Sequence, residues 1–205
     1  MENLLATPAT LVLIITNLIV SYIGFTNKDF FERNVFWIGP IRQHGQWERF
    51  VSSAFLHVNT IHLLINMYVL YEFGRILERV LGTPGFLLLY VASLLAGNAW
   101  KFFAHKNHAN YRAVGASGAT SGIILGFCLF FPFATLLLFF VIPMWAIVLA
   151  ILFIVGSFIL SRRDGSIIAH GAHLGGAIAG LLVTVMLRPD VLGNLIQQVA
   201  ETLGT

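Results

Sequence analysis

Apolar residues dominate this chain in runs, and the runs are long. Six stretches, roughly 8–25, 58–80, 84–103, 116–131, 144–161 and 169–187, are strongly apolar, and only the second, with Glu72, Arg75, Glu78 and Arg79, carries more than one charge. Each approaches the ~20 residues a helix needs to cross a bilayer core. The pattern predicts an all-α, polytopic membrane protein with six transmembrane helices in a single domain over 1–205. No soluble domain, solenoid repeat or low-complexity linker interrupts it. The longest connection, about 26–56, is aromatic and amphipathic ("FFERNVFWIGP") and reads as an interfacial structure, not a tether. "PFATLLLFFVIP", bracketed by Pro132 and Pro143, reads as a membrane-adjacent loop before the fifth helix.

Polar residues inside these runs are costly in lipid and therefore candidates for function. They fall in three groups. His57, His62 and Asn66 sit at the start of the second stretch, Ser117, Thr120 and Ser121 at the start of the fourth, and His170 and His173 at the start of the sixth. With six spans, the even-numbered helices run in one direction, so their starts share one membrane face. The layer collects hydroxyls, imidazoles and an amide, and no carboxylate. Glu72 and Glu78 lie ten and sixteen residues past His62, about 15–24 Å further along a helix.

This inventory suits nucleophilic catalysis. A serine needs an imidazole that can take its proton, and a carboxylate is dispensable. His62 and Asn66, spaced i and i+4, share a helix face and can both donate to an oxyanion. Ser117 at a helix N-terminus can add its own N–H. Gly115 frees the incoming backbone. Gly118, Gly122 and Gly126, with Gly176 and Gly180, form small-xxx-small faces that let two helices pack backbone to backbone. Taken singly, each feature has a plainer reading as packing, interfacial polarity or an interhelical hydrogen bond. Cys128, eleven residues past Ser117 and about 16 Å deeper, reads as a core residue.

Composition agrees with the pattern. The chain is 58% hydrophobic and 10% charged, with mean hydropathy +0.84, against about 25% charge in soluble domains. Net charge is +3 and no basic run points to nucleic acid. One cysteine excludes an intrachain disulfide. The opening "MENLLATPAT" has no Lys or Arg, so the first run is expected to be a retained helix and not a signal peptide.

"HVNTIHLLINM", then "GASG", then "AHGAHLGGAIAG" resemble, in order, the rhomboid family of intramembrane serine proteases across about 45–185. The family's H-x-x-x-N is matched by His62 and Asn66, its G-x-S-G by Gly115, Ser117 and Gly118, its A-H-x-x-G by Ala172, His173 and Gly176, and its G-x-x-x-E-x-x-x-G by Gly74, Glu78 and Gly82. The resemblance implies that Ser117 is the nucleophile and His173 the general base. His62, Asn66 and the Ser117 N–H would hold the oxyanion. Ser121 and His170, one turn from the dyad, would support it. Transmembrane protein substrates would enter from the bilayer past the fifth helix, be hydrolysed through an acyl-enzyme, and need no metal, nucleotide or other cofactor. The location implied is the bacterial inner membrane. The family's Trp-Arg pair is here "WER", with Glu48 between Trp47 and Arg49, so the first loop departs from the pattern. Nine Lys and Arg, Lys101 among them, fall by position in loops of the active face against three on the other. The positive-inside rule puts that face in the cytoplasm. The resemblance puts it outside and is preferred. A catalytically silent rhomboid-like binding protein, and a metal or proton transporter using His57, His62, His170 and His173, are the alternatives. Possession of both Ser117 and His173 argues against the first, and the lack of carboxylates or further cysteines against the second.

Overall fold

The computed structural model describes residues 6–138, 141–161 and 170–204. The chain is mostly helical. Helix α1, Pro8–Thr26, starts on a proline, whose missing N–H costs nothing in a first turn. That turn is held by a distant carboxylate. Glu78 accepts from Ala9 N at 2.9 Å, Thr10 N at 2.8 Å, Thr10 Oγ1 at 2.7 Å and Thr83 Oγ1 at 2.8 Å. This explains a buried carboxylate in an apolar segment: all its partners are donors.

The connection after α1 is ordered as an interfacial structure. It comprises α2 (Lys28–Asn34), β1 (Phe36–Trp37), α3 (Ile38–His44), α4 (Arg49–Ser52) and a 3₁₀ turn, Ser53–Phe55. Strand β1 pairs antiparallel with β2, Arg112–Ala113, which ties this loop to the segment before Ser117. Arg49 is the anchor. It is buried, and its guanidinium donates to the carbonyls of Glu32 at 2.9 Å and Val35 at 2.7 Å and to Gln46 Oε1 at 2.7 Å. The inserted Glu48 therefore does not unmake the anchoring.

Helix α5, Thr60–Val69, runs through a π turn, Leu70–Gly74, into α6, Arg75–His105. Within α6 Gly82 has φ +71° and ψ 159°, values no helix contains. A Cβ on Gly74 would lie 3.3 Å from Phe86, whereas twelve residues of straight helix cover about 18 Å. The chain thus folds back at Gly82, and 60–81 and 83–105 form an antiparallel hairpin. By length and apolarity alone, Pro8–Thr26 and the continuous Thr60–His105 qualify as spans. Gly171–Leu187 together with Asp190–Thr202, bent by 102°, qualifies as a third. The expected six spans are therefore met only in part. The hairpin merges two of them, and α7 (Ser117–Phe130) and the apolar part of α8 (Ala146–Ser161) are short.

Helix α9, His170–Leu187, packs against α7 and the second leg of α6. Glycines set the distance. A Cβ on Gly176 would collide with the backbone of Gly118, and one on Gly180 with that of Gly122. The segment expected as a membrane-adjacent loop before the fifth helix is a hairpin. Its strands, β3 (Thr135–Leu138) and β4 (Ile142–Trp145), pair antiparallel, which satisfies their backbone groups beside the bundle. A final helix not foreseen from the pattern, α10 (Asp190–Leu203), packs on α7 and α9.

Candidate functional site

The layer forms where three helices cross. A Cβ on Gly97, in the second leg of α6, would lie 2.8 Å from the Ala172 carbonyl and 3.2 Å from Gly118 Cα. Gly118 in turn touches Gly176. Ser117 directly precedes Gly118, and His173 directly follows Ala172, so the two stand at one level of the α7–α9 crossing. At the far ends, Gly85 approaches Leu187, and Arg188 lies 5.7 Å from the Phe130 ring. The starts of α5, α7 and α9 thus share one face and the ends of the hairpin's first leg, α7 and α9 the other.

Ser117 is the first residue of α7, and no side chain caps that helix, so its first N–H groups face outward. The chain reaches Ser117 through Gly115, whose φ of +122° L side chains rarely adopt. Gly115 N donates to Ser53 O at 3.0 Å. A Cβ on Gly115 would lie 2.5 Å from His62 Cε1. Glycine thus allows the imidazole to lie directly on the loop that delivers Ser117. His62 is fixed from below as well, because Asn59 caps α5 by accepting from His62 N at 2.8 Å.

Asn66, one turn along, is 3% exposed. Its Nδ2 donates to His62 O at 2.9 Å and its Oδ1 accepts from Thr120 Oγ1 at 2.9 Å. One Nδ2 hydrogen remains. Thr120, one turn after Ser117, is therefore the clasp between α5 and α7. Ser121 is buried and donates to the carbonyl of Ser117, so its hydroxyl is spent within its own helix.

His173 is 9% exposed, and its ring stacks on Phe153 of α8, centroids 5.6 Å apart. Phe153 has no mark in the sequence, where it is one apolar residue among many. His170 opens α9, and its side chain lies outside the described residues. Cys128 is buried and donates to Ala146 O at 3.3 Å, a structural contact.

Two further buried groups border the site, His57 of the first polar group and Lys101. His57 is 1% exposed, its ring 5.0 Å from that of His62. Burial, with His62 adding to it, drives its pKa down to about 3, so it is neutral. By position in the sequence Lys101 belongs to a loop. It lies instead inside the second leg, one turn past Gly97, 4% exposed, with Nζ 5.2 Å from the Phe36 ring. The reach of its four-carbon stem turns the ammonium inward.

Comparison with known proteins places this geometry. The Rhomboid domain family model matches residues 44–190. The chain is similar to RHOMBOID-like protein 12, mitochondrial, of Arabidopsis thaliana, 33% identical over 160 residues, 70% of this chain and 47% of that protein. It is similar to Rhomboid protease GluP of Bacillus subtilis, 31% identical over 144 residues, 70% of this chain and 26% of that protein. Rhomboid protein 1, mitochondrial, of Saccharomyces cerevisiae is 36% identical over 138 residues, 64% of this chain and 39% of that protein. The matched parts thus span between 26% and 47% of these relatives' own length.

Proposed function

The chain belongs to the rhomboid family, and from that premise we propose that it is an intramembrane serine endopeptidase acting through Ser117 and His173. Rhomboids are integral membrane proteins, and this chain is one. The observation that carries the proposal is the backbone contact of Gly118 with Gly176, which holds the starts of α7 and α9 at one level. The kinship to a relative named a protease supports it. We further propose that 1–205 forms one rhomboid-like unit with six spans, the hairpin at Gly82 counting as two, in a bacterial inner membrane.

In this reading Ser117 Oγ attacks the scissile carbonyl carbon while His173 takes its proton. The resulting oxyanion accepts from the Ser117 N–H, His62 and the remaining Nδ2 hydrogen of Asn66. His173 then returns the proton to the leaving amine, an acyl-enzyme forms, and water releases it by the same route. Substrates are transmembrane proteins, entering beside α8, whose Phe153 covers His173.

The test is labelling by a serine-directed fluorophosphonate together with cleavage of a transmembrane substrate in detergent. The wild type is expected to do both. Ser117→Ala is expected to do neither while keeping its thermal stability, and His173→Ala to lose cleavage to the same extent, because members of one catalytic unit are non-additive. Labelling that survives in Ser117→Ala and vanishes in Ser121→Ala moves the nucleophile. No cleavage and no labelling of folded wild type leaves a binding protein. Chelators are expected to change nothing.

A further inference from the structure

Thr120 takes no part in the proposed reaction, yet its hydroxyl is committed to a residue that does. A hydroxyl has one hydrogen to give. Two acceptors are in reach of Thr120 Oγ1, Asn66 Oδ1 at 2.9 Å and the Ser117 carbonyl at 3.3 Å. The Ser117 carbonyl already accepts from Ser121 Oγ. Asn66 Oδ1 accepts from no other group among the described residues. The shorter bond and the unmet acceptor agree, and the hydrogen goes to Asn66.

This bond sets how the Asn66 amide faces. His62 O is a carbonyl and only accepts, so the atom 2.9 Å from it must be Nδ2. Oδ1 then faces Thr120, and the two bonds together fix the plane of the amide. The direction of the second Nδ2 hydrogen, the one that the proposed reaction gives to the oxyanion, follows from that plane. Asn66 and Thr120 are both buried, so Oδ1 has no solvent to turn to, and leaving it unmet is costly. Donation into Oδ1 also polarises the amide and makes its N–H groups stronger donors. Loss of the Thr120 hydroxyl therefore acts on the aim and strength of Nδ2, an atom to which Thr120 makes no bond.

We propose that Thr120 is a positioning residue for the reaction, whose hydroxyl holds the Asn66 side-chain amide with one Nδ2 hydrogen free for the oxyanion. The inference rests on the oxyanion role proposed for Asn66 above.

Kinetics of the full chain in detergent, scored per folded molecule, test it. Thr120→Val keeps the shape and loses the hydroxyl. It is expected to lower turnover by about 10² with little change in KM, the size of a small misplacement at a reacting centre. Thr120→Ser restores the hydroxyl and is expected to regain most of that loss. Adding Thr120→Val to Asn66→Ala is expected to cost nothing further, because Thr120 acts through Asn66 alone. An additive loss in the double variant overturns the proposal. So does wild-type turnover in folded Thr120→Val with only the melting temperature lowered, the result of a mere helix clasp. Labelling the wild type with ¹⁵N-asparagine needs no Thr120 variant to fold, and Asn66→Ala identifies the signal. The Asn66 amide is expected to exchange slowly with water and to show two inequivalent hydrogens, one of which shifts when a fluorophosphonate occupies Ser117. An amide that rotates freely overturns the proposal. Folded wild type that cleaves nothing, with its Asn66 amide held in this way, overturns the protease reading and supports the amide orientation.

Discussion

At the scale of single residues, Asn66 and Ser121 of the candidate site have their hydrogen-bond capacity nearly spent. Asn66 illustrates this. Two of its polar positions go to His62 O and Thr120 Oγ1, and one hydrogen is left for a substrate. Asn66→Ala is expected to lower turnover by about 10²–10³ while Ser117 still reacts, more slowly, with a fluorophosphonate. Turnover per folded molecule near wild type, with only the melting temperature lowered, would reduce Asn66 to a clasp for Thr120. His57 makes a second, independent case. Its folded pKa of about 3 lies below the ordinary 6.5, so below pH 6.5 the unfolded chain binds a proton that the folded chain does not. Its contribution is intact above pH 6.5 and is lost as pH falls toward 3, at no more than about 1.4 kcal/mol per pH unit. Thermal melts in detergent across this range check it: His57→Phe is expected to flatten the acid limb. An acid limb unchanged in that variant assigns it to other groups. The sequence made His62, Asn66, Ser117 and His173 conspicuous as candidates because each stands in a short fixed spacing. Phe153 and Lys101 were not legible, because which way a side chain turns from a helix depends on what packs beside it.

At the scale of elements, glycine decides how near α7 and α9 come. Small-residue faces replace the hydrophobic drive that lipid cannot supply. The sequence shows Gly118 and Gly122 on one helix and Gly176 and Gly180 on the other, and these are the pairs that touch. It did not show Gly97, which completes the three-helix crossing from α6. Gly176→Ala places a methyl group in the Gly118 carbonyl and must move one helix. Ser117 and His173 ride on those two helices, so even a shift of about 1 Å is expected to cost about 10² in turnover. Gly193→Ala, which meets nothing within 4 Å, is the control. Equal turnover in the two variants would show that the contact does not set the proposed dyad. The Gly82 reversal was anticipated as a gap between two stretches. The π turn at Leu70–Gly74 was not, since nothing local in that segment requires it.

For the whole molecule, the burial of two cations changes the charge argument. Of nine Lys and Arg assigned to the active face, Arg49 and Lys101 are buried. That leaves seven against Arg75, Arg79 and Arg188 on the other side. The bias weakens but keeps its sign, so charge and kinship still disagree about orientation. We propose that the active face lies outside, as the motif resemblance implies. In a Cys128→Ala background, Lys106→Cys is expected to react with an impermeant maleimide on intact cells and Arg79→Cys only after lysis. The reverse pattern puts the active face in the cytoplasm.

The sequence by itself determined which segments are apolar, where polar groups interrupt them, and that those groups gather at helix starts. Composition and periodicity are local properties, and the cost of a polar group in lipid makes each interruption conspicuous. Tertiary structure alone decided what each group meets: that Glu78 holds the first turn of α1, that Thr120 clasps Asn66, and that Lys101 turns inward over the Phe36 ring. Those are contacts between segments far apart in the chain. Their partners are selected by helix crossing and side-chain reach, which no local pattern encodes.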